Sequence, residues 1–219
     1  MDALKVKKHM ERIMQDIKVP NTLFKNLCIL TKDMDAERSD PVAAKATLLH
    51  IREFLNDSRI KDKNSGEQTY LRHVFNLGGD LEEAAEQHCV LAMYERAAKQ
   101  LAKGNGVAED KNVAEAIETL NSLADSGFIP SLLHQGMYFA DKGKYAEAEK
   151  YLTMAKNNSL MDNPEFAHYD LPERINCCSE ERPYEERSLL RESIITPVVE
   201  KPDYEPDGDA YDNGSSFRR

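Results

Sequence analysis

Tryptophan is absent from the chain, and glycine and proline are scarce, with 10 and 9 residues among 219. A β-sandwich needs many turns rich in those two residues, so their scarcity favours an all-α fold. No apolar run approaches the ~20 residues that a membrane-spanning helix needs. The N-terminal segment also lacks the apolar core of a secretory signal peptide. We therefore expect a helical protein of the cytoplasm that does not cross a membrane.

Residues with the spacing of catalytic or metal-binding motifs are lacking as well. Among the 6 histidines, no two have the His-x-x-x-His spacing of a helical metal site. Cys28 and Cys89 lie in apolar helical patterns that are typical of buried, reduced thiols. Cys177 and Cys178 are adjacent, but no further cysteine or histidine follows at ligand spacing, which leaves their role open. The sequence thus predicts no enzyme, and no metal or cofactor.

Acidic residues outnumber basic ones, 39 against 29, and give a net charge of −10. Phosphate backbones repel such a chain, so general nucleic-acid binding is not expected. The acidity suits either solubility or attraction to a basic partner. Part of it lies near the C-terminus, where residues 200–212 contain six acidic residues and one lysine. Because aliphatic residues are few from Thr196 onward, we expect residues 196–219 to form a disordered acidic tail.

The first 57 residues show three patterns of apolar residues spaced by three or four positions, as in helices. The first spans residues 2–18, and the second begins at Pro20, which suits the first turn of a helix. The third begins at Asp40–Pro41, an N-cap residue followed by proline at the first helical position. We interpret residues 1–57 as an N-terminal helical cap and residues 57–68 as a polar linker.

The next helical pattern is expected to end at Gly78–Gly79, because glycine accepts the left-handed conformation common beyond a helix end. Asp80 and Glu83 then resemble a capping box. One long helix is expected from there to about Leu101, ending at a Gly-x-Gly-Val turn over residues 104–107. This turn follows a helix, and it has no third glycine, so it does not indicate a phosphate-binding loop.

The most regular pattern lies between Ile129 and Asp162 and predicts two helices joined at Gly143. The residues of the predicted contact face are spaced by three and four positions. They are Leu133, Gly136, Met137 and Ala140 in the first helix, and Tyr145, Ala148, Tyr151, Leu152 and Ala155 in the second. Glycine and alanine on this face allow two antiparallel helices to approach closely.

This hairpin resembles a tetratricopeptide (TPR) repeat, on the residues Gly136, Phe139, Gly143, Tyr145, Ala148, Leu152 and Ala155. The segment from Ala92 to Gly127 resembles the related Sel-like repeat, on the residues Gly104, Gly106, Val107, Asp110, Ala116, Ala124 and Gly127. The resemblance implies a short right-handed α-solenoid of antiparallel helical hairpins over residues 66–162. Residues 163–195 would cap its C-terminal end, because terminal repeats need a polar outer side.

The resemblance also implies a non-enzymatic adaptor or chaperone-like module, which binds a peptide or helix of another protein on the concave face formed by the first helices. The residues expected there are Tyr94, Lys99, Lys103, Leu133, His134, Met137 and Asp141. Leu133 and Met137 stand where some TPR proteins hold a carboxylate with lysine and asparagine, which favours an apolar or mixed partner. The alternatives are a self-associating structural component and an acidic inhibitor that mimics nucleic acid. The partner's identity and the oligomeric state stay open.

Overall fold

A computed structural model describes residues 1–36, 40–57, 65–103 and 111–184. The described residues contain helices and no strand, so the predicted all-α class is confirmed. The α-helices are α1 Ala3–Gln15, α2 Pro20–Asp35, α3 Pro41–Asn56, α4 Gly66–Val74, α5 Leu81–Glu86, α6 Val90–Lys103, α7 Lys111–Asp125, α8 Ile129–Asp141, α9 Tyr145–Lys156 and α10 Leu171–Ser179. Two 3₁₀ helices, Ser159–Asp162 and Pro164–Tyr169, lie between α9 and α10.

Side-chain N-caps determine where several helices begin. Asp40 accepts hydrogen bonds from two backbone N–H groups of α3 at 3.0 and 3.1 Å. Asp80 does the same for α5 at 2.7 and 3.2 Å. Both helix starts were predicted from the capping residues and are confirmed. Asp2 and Ser65 cap α1 and α4 in the same way, because a side-chain oxygen satisfies an N–H that has no partner within the helix.

The single long helix expected from residue 80 to about Leu101 is wrong, because the chain turns between α5 and α6. His88 adopts the left-handed backbone conformation with φ of 61°. Its N–H donates to the Ala85 carbonyl at 3.0 Å, and the N–H of Cys89 donates to the Ala84 carbonyl at 3.1 Å. This pair of bonds is a Schellman motif, which ends a helix. Histidine occupies the position where glycine is usual, so residue composition carries no signal for this break.

Helix α4 also ends before the predicted stop at Gly78–Gly79. Asn76 adopts the left-handed conformation, with φ of 54°, and donates its N–H to the His73 carbonyl at 3.0 Å. Gly79 is required for a different reason: a Cβ placed there would lie 2.1 Å from the Thr69 carbonyl oxygen and 2.3 Å from the His73 nitrogen. The turn after α4 therefore lies directly against the α4 backbone.

From α4 to α10, each α-helix packs against the next one along the chain. The α8–α9 hairpin turns at Gly143, as predicted, and a Cβ on Gly136 would lie 2.5 Å from Cδ2 of Leu152. The close approach expected from the small residues of this hairpin is confirmed. Its buried contact residues are Leu132, Leu133 and Gly136 on α8 and Ala148, Leu152 and Ala155 on α9.

Helix α2 contacts parts of the chain that are far from it in sequence. It packs against α6 and against the first 3₁₀ helix. Along α2, which the structure describes throughout, only the side chains of Lys32 and Asp35 are exposed. The buried core forms two clusters, one mainly from α1–α7 and one mainly from α8–α10, and Phe24 packs against both. The predicted N-terminal cap thus contains a helix that joins the two halves of the core.

Some predicted features lie outside the described residues. They are the Gly104–Asp110 turn of the Sel-like resemblance, residues 58–64 of the linker and the tail over residues 196–219. The predicted capping segment 163–195 is described up to Tyr184, and within it α10 packs on α9. Among the described residues, no helix has both the length and the apolar character needed to cross a membrane.

Candidate functional site

The seven residues expected to bind a partner do not share one accessible surface. Tyr94 and Leu133 are 5% and 1% exposed, so they belong to the core and a partner cannot reach them in this structure. This corrects their expected position on an open concave face. His134 and Met137 are half-buried, while Lys103 and Asp141 are exposed. Lys99 belongs to a buried ionic cluster that is described below.

Aromatic rings from several elements bury Tyr94. Its ring meets Phe128, at the start of α8, edge-on at 5.7 Å and His134 at 6.2 Å. Phe24 of α2 approaches Phe128 at 6.5 Å and stacks on Phe166 of the second 3₁₀ helix at 5.9 Å, with 6° between the ring planes. Offset and edge-on pairs at such distances contribute about 0.5–1.5 kcal/mol each beyond area burial. The cluster therefore fixes α2 between α6, α8 and the C-terminal segment.

Asn21 anchors the start of α2 on the turn between α7 and α8. Its Nδ2 donates to the Gly127 carbonyl at 3.0 Å, and its Oδ1 accepts from the Ile129 N–H at 2.9 Å. Both backbone groups lie at helix ends, where they have no partner within their own helix. The TPR resemblance assigns the side of first helices such as α6 and α8 to a partner. In this chain α2 packs against α6, and its Asn21 holds the start of α8.

Burial disfavours the charged forms of the two titratable groups in this aromatic cluster. It raises the pKa of Tyr94 well above its ordinary value, and it lowers the pKa of His134, because the charged form of each group would lose hydration. The Tyr94 hydroxyl makes no hydrogen bond to a described residue. The cluster packs elements together, and nothing in its geometry activates Tyr94 or His134 as an acid or base.

Glu95 forms a buried ionic cluster between α4 and α6. Its carboxylate is 2.6 Å from Lys99 Nζ and 3.4 Å from His73 Nε2, and the residue is 3% exposed. Burial by itself would raise the pKa of Glu95, but hydrogen bonds with His73, Lys99 and Tyr70 outweigh burial and lower it. Lys99 is thus engaged within the protein, and its charge is already balanced by Glu95.

The turn end of the α8–α9 hairpin carries a group of aromatic and basic side chains. The Phe139 and Tyr151 rings stack at 5.6 Å, and Tyr138 meets Phe139 edge-on, also at 5.6 Å. A lysine ammonium lies over each ring, at 5.8 Å for Lys142 on Tyr138, 5.7 Å for Lys144 on Phe139 and 5.4 Å for Lys150 on Tyr151. We call these six residues the aromatic–lysine surface.

This surface is accessible and adjoins two of the predicted partner-binding residues. Tyr138 is 38% exposed, and Met137 and Asp141 flank it on α8. None of its three lysines forms an ion pair with a carboxylate of the described residues. Sequence reasoning missed the surface because it assigned Phe139 and Tyr151 to packing within the repeat. The spacing of Tyr138 and Lys142, four residues apart at the C-terminal end of α8, is the signal that could have indicated it.

The environment of Cys177 and Cys178 disfavours the reactive thiolate. All four cysteines are free thiols, and Cys177 and Cys178 are buried in α10. Burial raises the pKa of both, which keeps them in the unreactive thiol form. Within the described ranges, no three His, Cys, Asp or Glu side chains come together as a metal site would require.

Comparisons of the chain with protein-family models, with curated proteins and with solved structures give no match. The TPR and Sel-like resemblance therefore rests on the repeat residues of the sequence alone. What the structure itself defines is an all-helical protein with a two-part core joined by α2.

Proposed function

We propose that this chain is a non-enzymatic adaptor or chaperone-like module, which binds another protein through the aromatic–lysine surface and the neighbouring residues of α8. The observation that carries the proposal is the accessible group of three rings and three lysines at the turn end of the α8–α9 hairpin. Aromatic side chains and methionine are enriched at protein interfaces, and rings lose little conformational entropy when they bind. Met137 and Asp141 extend this surface along α8.

We further propose that α4–α9 form a short solenoid of TPR-like and Sel-like hairpins in the cytoplasm. The consecutive packing of these helices supports the solenoid, and the reduced thiols agree with a cytoplasmic protein. In such an array α2 covers, next to α6, the face that is formed by the first helix of each hairpin. Partner binding then falls to the accessible end of the last hairpin, where Met137 and Asp141 remain within reach.

Quantitative capture from the native cell tests the proposal. The tagged full chain is compared with a Met137→Ala/Tyr138→Ala variant and with a Val42→Ala/Leu49→Ala control, which truncates apolar side chains of α3 that are 78% and 51% exposed. We expect the wild type and the control to retain one protein. The amount of that protein captured by the Met137→Ala/Tyr138→Ala variant should be at least tenfold lower. Loss of a central interface side chain costs about 2 kcal/mol or more. Equal capture by all three forms would refute binding at this surface.

Self-association is the second candidate, because exposed apolar side chains also occur at Leu4 of α1 and at Val42 and Leu49 of α3. Sedimentation of the full chain over a hundredfold range of concentration separates the two candidates. A constant monomer mass argues against self-association, whereas a concentration-dependent mass that the Val42→Ala/Leu49→Ala variant abolishes would favour it.

A further inference from the structure

We propose that the acidic C-terminal segment, residues 200–212, docks on the aromatic–lysine surface of the same chain and shields it. The docking needs no other molecule. Its consequence, that this segment competes with a partner protein, rests on the function proposed above.

The chemistry of the segment complements that of the surface. Residues 200–212 carry six carboxylates and one lysine, with Tyr204 and Tyr211 placed among the acidic residues. The surface presents three ammonium groups, each held over an aromatic ring. Carboxylates pair with the ammonium groups, while tyrosine rings pack on partly exposed rings such as Tyr138. Charge and aromatic character therefore alternate on both sides of the proposed contact.

The three lysines are available for such pairing. Several other lysines already have carboxylate partners, namely Lys5 with Asp33, Lys7 with Glu11, Lys18 with Glu67, Lys99 with Glu95 and Lys111 with Glu115. Asp141, Glu147 and Glu149 belong to the same hairpin as Lys142, Lys144 and Lys150, but no described carboxylate lies within 4.0 Å of these ammonium groups. Glu149 instead accepts a hydrogen bond from Ser179 of α10 at 3.1 Å.

The described chain ends close enough for the segment to reach the surface. Helix α10 packs on α9, and after α10 the Tyr184 ring lies 4.0 Å from the Arg174 guanidinium, with its hydroxyl 3.0 Å from Asp170. The residues between Tyr184 and Glu200 span up to ~50 Å when extended. A random coil of that length spans roughly 20 Å on average. Helix α9 is about 18 Å long at 1.5 Å per residue, so every part of the hairpin is within reach.

Tethering makes weak contacts sufficient. Exposed charge pairs contribute little individually. A short linker, however, holds the segment at an effective concentration on the order of millimolar. A few such pairs then populate the docked form. Because the pairs are exposed, we expect the docking to weaken strongly as salt is raised.

Zero-length carbodiimide cross-linking of the full chain tests the contact directly, since this reagent joins carboxylates to lysines that are in contact. We expect residues 200–212 to link to Lys142, Lys144 and Lys150 at least about fivefold more often than to Lys8, Lys103 and Lys156, which are exposed and lie over no ring of the described residues. The preference should disappear in 1 M salt, where the Debye length is about 3 Å. Cross-links spread evenly over both sets of lysines would overturn the proposal. Cross-links found only between differently isotope-labelled copies would also overturn it, because they would join two molecules and not two parts of one chain.

A second measurement uses charge neutralisation in the full chain. In a Lys142→Gln/Lys144→Gln/Lys150→Gln variant, the amide resonances of Tyr204 and Tyr211 should move to the positions seen in an isolated peptide of residues 200–212. The control variant Lys8→Gln/Lys103→Gln/Lys156→Gln makes the same charge change and should leave them unmoved. Wild-type resonances that already coincide with those of the peptide would refute docking.

The proposed function and the proposed docking can be refuted independently. Cross-links to the three lysines without selective capture of a partner would leave the docking standing and remove the proposed function. Selective capture without these cross-links would do the reverse.

Discussion

At the residue scale, the carboxylate of Glu95 connects α4 to α6 from a position that is almost fully buried. It reaches His73 on α4 and Lys99 one turn further along α6, at 3.4 and 2.6 Å. Removing one member of a buried ion pair is costly, because the remaining charge loses its partner while staying out of water. Both partners here are partly exposed, which moderates that cost.

We expect Glu95→Gln to lower the free energy of unfolding by about 2–3 kcal/mol, since the amide keeps the shape of the side chain but lacks its charge. The matched control is Glu115→Gln, whose pair with Lys111 is exposed and should contribute less than about 0.5 kcal/mol. Urea denaturation at pH 7 measures both. Equal effects of the two substitutions would show that the Glu95 pair does not stabilise the fold.

The same residue should make stability depend on pH. Because the folded state lowers the pKa of Glu95, its contribution is complete above the ordinary value of 4.5 and is lost as the pH falls below it. The stability difference between wild type and Glu95→Gln should therefore shrink between pH 5 and pH 3. Urea denaturation over this range checks it, and a difference that stays constant would contradict the assigned pKa direction.

At the element scale, five of the helix ends that the structure describes follow one backbone pattern with different residues. Gly127 and Gly143 take the left-handed position after α7 and α8, while Asn76, His88 and Glu181 take it after α4, α5 and α10. Each closes its helix with two backbone hydrogen bonds of the Schellman type. Sequence alone identifies the glycine ends readily, and the other three ends depend on how the following segment packs.

Two neighbouring glycines should respond very differently to substitution by alanine. A Cβ at Gly79 would collide with the α4 backbone at 2.1 and 2.3 Å, so Gly79→Ala should cost more than ~3 kcal/mol. Gly78 has open space around it and a φ of 84°, so Gly78→Ala should cost only ~1 kcal/mol for its left-handed backbone. Thermal and urea unfolding of both variants test this order. Similar losses would mean that the turn after α4 does not press on the helix.

At the scale of the whole molecule, α2 connects the two core clusters. Phe24 contacts rings on both sides, and Asn21 ties α2 to backbone groups more than 100 residues away. Contacts between residues so distant in sequence form only when most of the chain has assembled. We therefore expect both halves of the protein to unfold together.

Phe24→Ala should lower the free energy of unfolding by about 3 kcal/mol, because it removes ring contacts in both clusters. Leu49→Ala, on the exposed face of α3, serves as the control and should change it by less than about 0.5 kcal/mol. Native-state hydrogen exchange gives the sharper readout. Amides of α2, α6 and α8 should become less protected by the same amount in Phe24→Ala. A loss confined to α2 would show that α2 is a separate, weakly attached element.

Local sequence signals were enough for the all-helical class and for much of the helix pattern. The starts of α3 and α5 follow from Asp40 and Asp80, and the α8–α9 hairpin follows from Gly136, Gly143 and the spacing of its apolar face. Such signals act within one or two turns of a helix, so they can be found without knowing where the rest of the chain lies. They also explain why the predicted single helix through His88 was wrong, since nothing local marks that turn.

Tertiary structure decided which side chains are accessible, and therefore which can meet a partner. Tyr94 is covered in part by Phe128 at the start of α8, and Leu133 belongs to the core cluster that α8 shares with α9 and α10. The rings of Phe139 and Tyr151 meet because α8 and α9 are antiparallel neighbours. Periodicity predicts that a helix has an apolar face, but it cannot say which element covers that face. That choice depends on non-local packing, which places α2 beside α6 and leaves the aromatic–lysine surface accessible.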